Sequence, residues 1–199
     1  MKIPCDVIAR LSRLLPDEPS DDPINCFRFD YGMVLATNRH LLAVEKVAPF
    51  DGVFYIRAEP TLIEQCRTEA QWSSVIEFTP VPALKYTTAM TSMGWKCSDN
   101  LGVWPTERTD YDDWREKILN PCIDPLTESR GAMVTSMDEL ARLAHSSPSG
   151  QIVLEQYADP QRRPTVVRDI DSHDWVGFFL ARITDGRQHT DAVVPGWCR

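Results

Sequence analysis

The stretch FDYGMVLATNRHLLAVEKV, Phe29–Val47, decides how this chain reads. Two apolar runs, residues 33–36 and 41–44, flank the polar residues Asn38, Arg39 and His40. Short runs rich in Val and Leu, separated by a few polar residues, form β-strands joined by a tight turn. Asn38 tolerates the left-handed conformation that such turns need. A β-hairpin is expected here.

The same signature recurs on both sides. Strands are expected over 24–31, 33–37, 41–47, 53–57, 75–80, 91–97, 152–157, 165–168 and 175–183. Several are closed by turn chemistry, in DYG, TNRH, SDNLG and DIDSHD. Three segments have helical period instead. In CDVIARLSRLL, Val7, Ile8, Leu11, Leu14 and Leu15 share a face, and Pro16 stops the helix. In EPTLIEQCRTEAQW, Pro60 sits at a permitted first-turn position and Leu62, Ile63, Cys66 and Ala70 share a side. In SMDELARLAHSS, Ser136 and Glu139 make a capping box, with Met137, Leu140, Ala141 and Ala144 expected inward. Each helix is followed by short strands, an order that argues α+β with helices on one face of antiparallel sheets. The Pro- and Gly-bearing stretch 120–131, NPCIDPLTESRG, is the expected boundary between units 1–121 and 132–199.

Composition narrows the function classes. The chain has 199 residues, 43% hydrophobic and 25% charged, which suits a soluble globular protein. No apolar run approaches the roughly 20 residues that span a bilayer, and the N-terminal segment lacks a signal-peptide pattern. A cytoplasmic protein without membrane contact is expected. The six cysteines are well separated, with no pair closer than the 21 positions between Cys5 and Cys26, so no zinc knuckle forms and reduced, buried thiols are expected. The net charge of −8 argues against broad phosphate contact. The acidic run around 99–118 reads as a solvated face.

This order of elements brings out a resemblance. VLATNRHLLAV resembles the V-A-T-D-G-H-R-L-A-V signature of bacterial DNA polymerase III β subunits, the sliding clamps. Ala36, Thr37, His40, Leu42, Ala43 and Val44 match, Asn38 stands for Asp, and Arg39 and Leu41 replace Gly and Arg. Gly102, Trp104, Pro105, Tyr111, Ile118, Leu119 and Pro121 fit the clamp phrase G-x-F-P-D-Y-R-R-V-L-P, with an insertion between Pro105 and Tyr111. WVGFFLARI, at 175–183, is similar to the clamp's last strand, Y-V-V-M-P-M-R-L, without its Met-Pro-Met. The resemblance implies a divergent, shortened sliding-clamp (DNA clamp) like protein of repeated helix plus antiparallel β-strand units, of the sort a phage encodes. Residues 1–121 would be a complete clamp-like domain, and 132–199 a half-domain with a C-terminal extension.

It also implies a function without catalysis or cofactors. In the family, this hairpin and the last strand line a pocket for peptide tails of polymerases and other clamp users. The corresponding residues here are Thr37, His40, Leu42, Pro105, Ile118, Phe179 and Leu180. An apolar floor with polar rim groups suits such a partner. Helices facing the inside of a ring would make Arg10, Arg13, Arg67 and Arg142 DNA-facing, although Glu64, Glu69, Asp138 and Glu139 thin that field. A homo-oligomer follows from the same resemblance. Asp169, Asp171, His173 and Asp174 sit in a turn context rather than a metal loop, and no nucleophile motif or phosphate-cradling glycine loop is present. Trp114 and Trp197 lie in polar contexts suited to an interface. Two alternatives stay open. One is an acidic phage or mobile-element inhibitor that binds and blocks a host nucleic-acid-handling or defence protein. The other, ranked below it, is a small Cys/His or metal-dependent hydrolase.

Overall fold

Short apolar runs give two antiparallel sheets, and the helices contribute side chains to the core that the sheets share. The computed structural model describes residues 1–16, 25–38, 40–81, 92–98, 100–105, 136–155 and 165–179. The first elements are β1 (Lys2–Pro4), α1 (Cys5–Leu11), a 3-10 turn (Ser12–Leu14), β2 (Cys26–Asp30), β3 (Met33–Thr37), β4 (Leu41–Lys46) and β5 (Val53–Arg57). They are followed by α2 (Pro60–Ala70), β6 (Val75–Val81), β7 (Ser92–Cys97), β8 (Asn100–Pro105), α3 (Met137–Ser146), β9 (Ile152–Glu155), β10 (Thr165–Asp169) and β11 (Trp175–Phe179). The expected boundary stretch 120–131 lies outside the described residues.

One sheet has four strands in the order β1-β6-β7-β8, and the other seven in the order β5-β2-β3-β4-β11-β10-β9. The larger sheet joins strands far apart in sequence, because β11 pairs antiparallel with β4 (Phe178 opposite Leu42, Gly177 opposite Ala43). Phe27, Phe29, Val34, Ala36, Leu41 and Ala43 of the larger sheet share one buried core with Ile76, Phe78 and Trp95 of the smaller. The rings of Phe29 and Phe78 meet across it at 5.4 Å. Val7, Ile8 and Leu11 of α1, Leu62 and Cys66 of α2, and Leu143 of α3 complete that core.

Local signals explain the element ends. Pro60 occupies the first turn of α2, where its missing N–H is no loss. At α3 the Ser136 side chain accepts from the Glu139 N–H, and the Glu139 carboxylate accepts from the Ser136 N–H. The β2–β3 turn places Tyr31 (φ 45°) and Gly32 (φ 86°) both at positive φ, a pairing that favours glycine and matches strand twist.

Three expectations change. Met137 is 78% exposed and Ala141 is exposed, whereas Leu143 is buried. The inward stripe of α3 runs through Glu139, Leu143 and Ser146, so Met137, in the first turn, points away from the core. Asn38 is absent from the positive-φ positions; it closes its turn by its side chain instead, described below. β1 has only three residues and no period of its own, and exists because Ile3 pairs with Ile76 on β6. Among the described residues, no helix is long and apolar enough to cross a membrane.

Candidate functional site

At the tip of the opening hairpin, Asn38 Oδ1 accepts from the backbone N–H groups of His40 (3.1 Å) and Leu41 (2.8 Å). The Asn38 N–H donates to the Leu41 carbonyl at 3.2 Å. This Asx turn fixes the register in which Thr37 faces Leu42. Alternation then puts Leu35, Leu42, Val44, Val166 and Phe178 together on the outer face of the seven-stranded sheet, as a second apolar cluster.

Of the residues assigned to a peptide pocket, Thr37 and Leu42 meet on this face, and His40 stands exposed at the turn beside them. Phe179 pairs with Leu41 and belongs to the main core on the opposite face. The outer-face aromatic is its neighbour Phe178, because a one-residue shift along a strand reverses the side. Pro105 pairs with Ser92 in the four-stranded sheet, apart from this hairpin. Ile118 and Leu180 lie outside the described residues. Leu42 is 1% exposed, and the cavity it lines with Thr37, Arg28 and Tyr55 measures ≈ 10 Å³, room for about one water. Arg28 is held beside it, paired with Asp30 at 3.1 Å and stacked over the Tyr55 ring at 5.4 Å. This face is closed.

The arginines on the helices are not equivalent. Arg10 is taken up by two acids, pairing with Asp6 one turn earlier and with Glu45 of β4 at 2.5 Å. Arg13, Arg67 and Arg142 instead converge on one cleft of ≈ 710 Å³ between the 3-10 turn, α2 and α3. His145 joins them, and Glu64 is the opposing carboxylate. Arg67 Nη2 donates to Ser12 Oγ at 3.2 Å, and Arg142 Nη1 donates to the Leu15 carbonyl at 3.3 Å. These bonds tie the helices together and orient both guanidinium groups. His145 had no counterpart in the sequence reading; its signal is the i+3 spacing from Arg142, which puts both on one helix face.

Thiol and carboxylate chemistry is held down by its surroundings. Cys5 Sγ lies 3.4 Å from Cys97 Sγ. The hydrogen bond with Cys66 and burial push the Cys5 thiol far above its ordinary range. Burial, then Cys5, pushes Cys97 up to about 12. Thiols held in the protonated form are poor nucleophiles. In the DIDSHD turn, Asp169 accepts from the Ser149 N–H and hydroxyl, both at 2.8 Å, and from the N–H groups of Asp171 and Ser172. Burial alone would raise its carboxyl, but these four bonds hold it at about 2. Both Asp169 oxygens thus close loops. Among the described residues, no group of three or more His, Cys, Asp or Glu side chains is placed to hold a metal ion.

Neither a family model nor a curated protein matches the chain. Solved structures do. The DNA polymerase III β subunit of Thermotoga maritima superposes with a TM-score of 0.57 at 9% identity, over 92% of this chain and 64% of that one. The β subunit of Borrelia burgdorferi, in complex with a natural product, gives 0.58 at 9% identity over 92% and 63%. The sliding clamp of Bartonella birtlesii, bound to griselimycin, gives 0.57 at 11% over 92% and 66%. The fold is therefore that of the sliding clamps, and the chain spans about two thirds of the length of the clamps it matches.

Proposed function

We propose that this chain is a non-enzymatic, sliding-clamp-like protein that works through protein contacts in DNA replication or repair. The observation that carries this reading is the clamp fold over 92% of the chain. The hairpin carrying Thr37, His40 and Leu42 is the proposed peptide-docking element, with Phe178 of β11 as its aromatic neighbour. Residues 1–121 act as one full clamp-type unit and 132–199 as part of a second, and copies of the chain associate with each other. The closed face at Leu42 has a kinetic consequence: a peptide must open it first, so capture is slower than diffusion alone would set.

Fluorescence anisotropy of a labelled polymerase-derived clamp-binding peptide tests the docking element. The reading expects saturable binding that His40→Glu weakens while the thermal melt stays unchanged, since His40 is exposed. A peptide that stays free at every protein concentration would count against it. Capture of a different host protein, with no peptide binding, would favour a blocking role instead.

A further inference from the structure

The cleft between the 3-10 turn, α2 and α3 is chemically unlike the rest of an acidic chain. Its volume of ≈ 710 Å³ falls within the roughly 300–1,000 Å³ typical of small-molecule sites. Its walls are of two kinds. Pro16, Pro60 and Ile63 supply apolar surface, and Arg13, Arg67 and Arg142 supply positive charge. Among the described residues, Glu64 is the one carboxylate lining it. A concave site with cations on low-dielectric walls focuses potential and favours an anion.

Two of these guanidinium groups, those of Arg67 and Arg142, are also oriented. Arg67 is anchored to Ser12 by one of its five donors, so its planar fork is presented with little ordering left to lose. Arg13 is exposed at the same cleft from the 3-10 turn. Two arginines from separate elements, beside apolar wall, match a ligand with a phosphate at one end and a flat or apolar body at the other.

We infer that this cleft binds a small phosphorylated ligand of nucleotide size, with Arg13 and Arg67 on the phosphates and Ile63 and Pro60 against the body. A duplex backbone fits the geometry less well. Continuous phosphate tracking needs a basic stripe, whereas Arg10, three residues before Arg13, is consumed by Asp6 and Glu45. The inference goes beyond the clamp reading and does not depend on it.

Isothermal titration calorimetry of the full chain with ATP, adenosine, inorganic phosphate and a short DNA duplex tests it. ATP is expected to bind most tightly, phosphate more weakly, and adenosine without measurable heat. Arg67→Glu should weaken ATP by tenfold or more, and the charge-matched control Lys96→Glu, on an exposed position of β7, should leave it unchanged. Glu64→Gln removes the opposing carboxylate and should tighten ATP, a gain that misfolding does not produce. Absence of ATP heat, indifference to Arg67→Glu, or a duplex that binds more tightly than ATP would each overturn the inference. Peptide binding is read separately, so loss of either activity leaves the other intact.

Discussion

Glu45 projects from β4 to the inner side of the large sheet and pairs there with Arg10 of α1. Its side chain is 8% exposed, and Glu45 Oε2 and Arg10 Nε have no hydrogen-bond partner among the described residues. Burial raises the carboxyl from its ordinary 4.5 to about 7, and Arg10 opposes that rise only in part. The native state therefore keeps the proton over an interval in which the unfolded chain has lost it. Stability from this group is fully present below pH 4.5 and is lost as pH rises through about 7. A rise of that size is worth about 3 kcal/mol. Glu45→Gln mimics the protonated carboxyl at every pH. Urea unfolding from pH 4.5 to 8 should give equal stabilities for the two proteins at the acid end. At the alkaline end the variant should be more stable by about 3 kcal/mol. A variant less stable than the parent at pH 8 would refute this, because it would mean that Arg10 outweighs the desolvation of the charged carboxylate.

Three further outcomes follow from the packing. A Cβ on Gly177 would lie 2.8 Å from Trp175 and 2.9 Å from Leu143, so Gly177→Ala should cost about 1–3 kcal/mol in urea unfolding through overpacking between β11 and α3. Asp169→Ala leaves the N–H groups of Ser149, Asp171 and Ser172 without their acceptor and should cost about 2–3 kcal/mol near neutral pH. Because the Asp169 carboxyl is held at about 2, its stabilisation is present above pH 3.8 and is lost as pH falls towards 2, so the variant's acid unfolding curve should lack that component. Ser136→Ala removes one half of the α3 capping box and should cost about 1 kcal/mol, read as a lowered thermal midpoint.

Legibility in the sequence follows the range of each interaction. Helix starts rest on residues within one turn, so Pro60 and the Ser136–Glu139 box place α2 and α3 correctly. The strands of the opening hairpin are equally local, because two short apolar runs and an Asx-capable residue between them are enough. The strand β1 is different: three residues hold no period, and only β6, more than 70 residues away, makes it a strand. The arginines divide in the same way. That Asp6 could take Arg10 is visible at i,i+4, but Glu45 reaches it only after β4 has been placed. The convergence of Arg13, Arg67 and Arg142 depends on how three separated elements pack, so their spacing along the chain carried no sign of a cleft. Phe179 was assigned by resemblance to a motif whose Met-Pro-Met is missing, and without that anchor the strand's side is ambiguous by one residue. Pairing with β4 resolves it, facing Phe178 to Leu42.

Light scattering of the purified protein over a wide concentration range asks whether the clamp fold of this chain serves clamp-like assembly. One discrete, closed oligomer is expected, with a mass that stays constant once formed, since a ring has no free end to extend. A monomer at every concentration would contradict it, leaving the clamp fold as architecture put to another use.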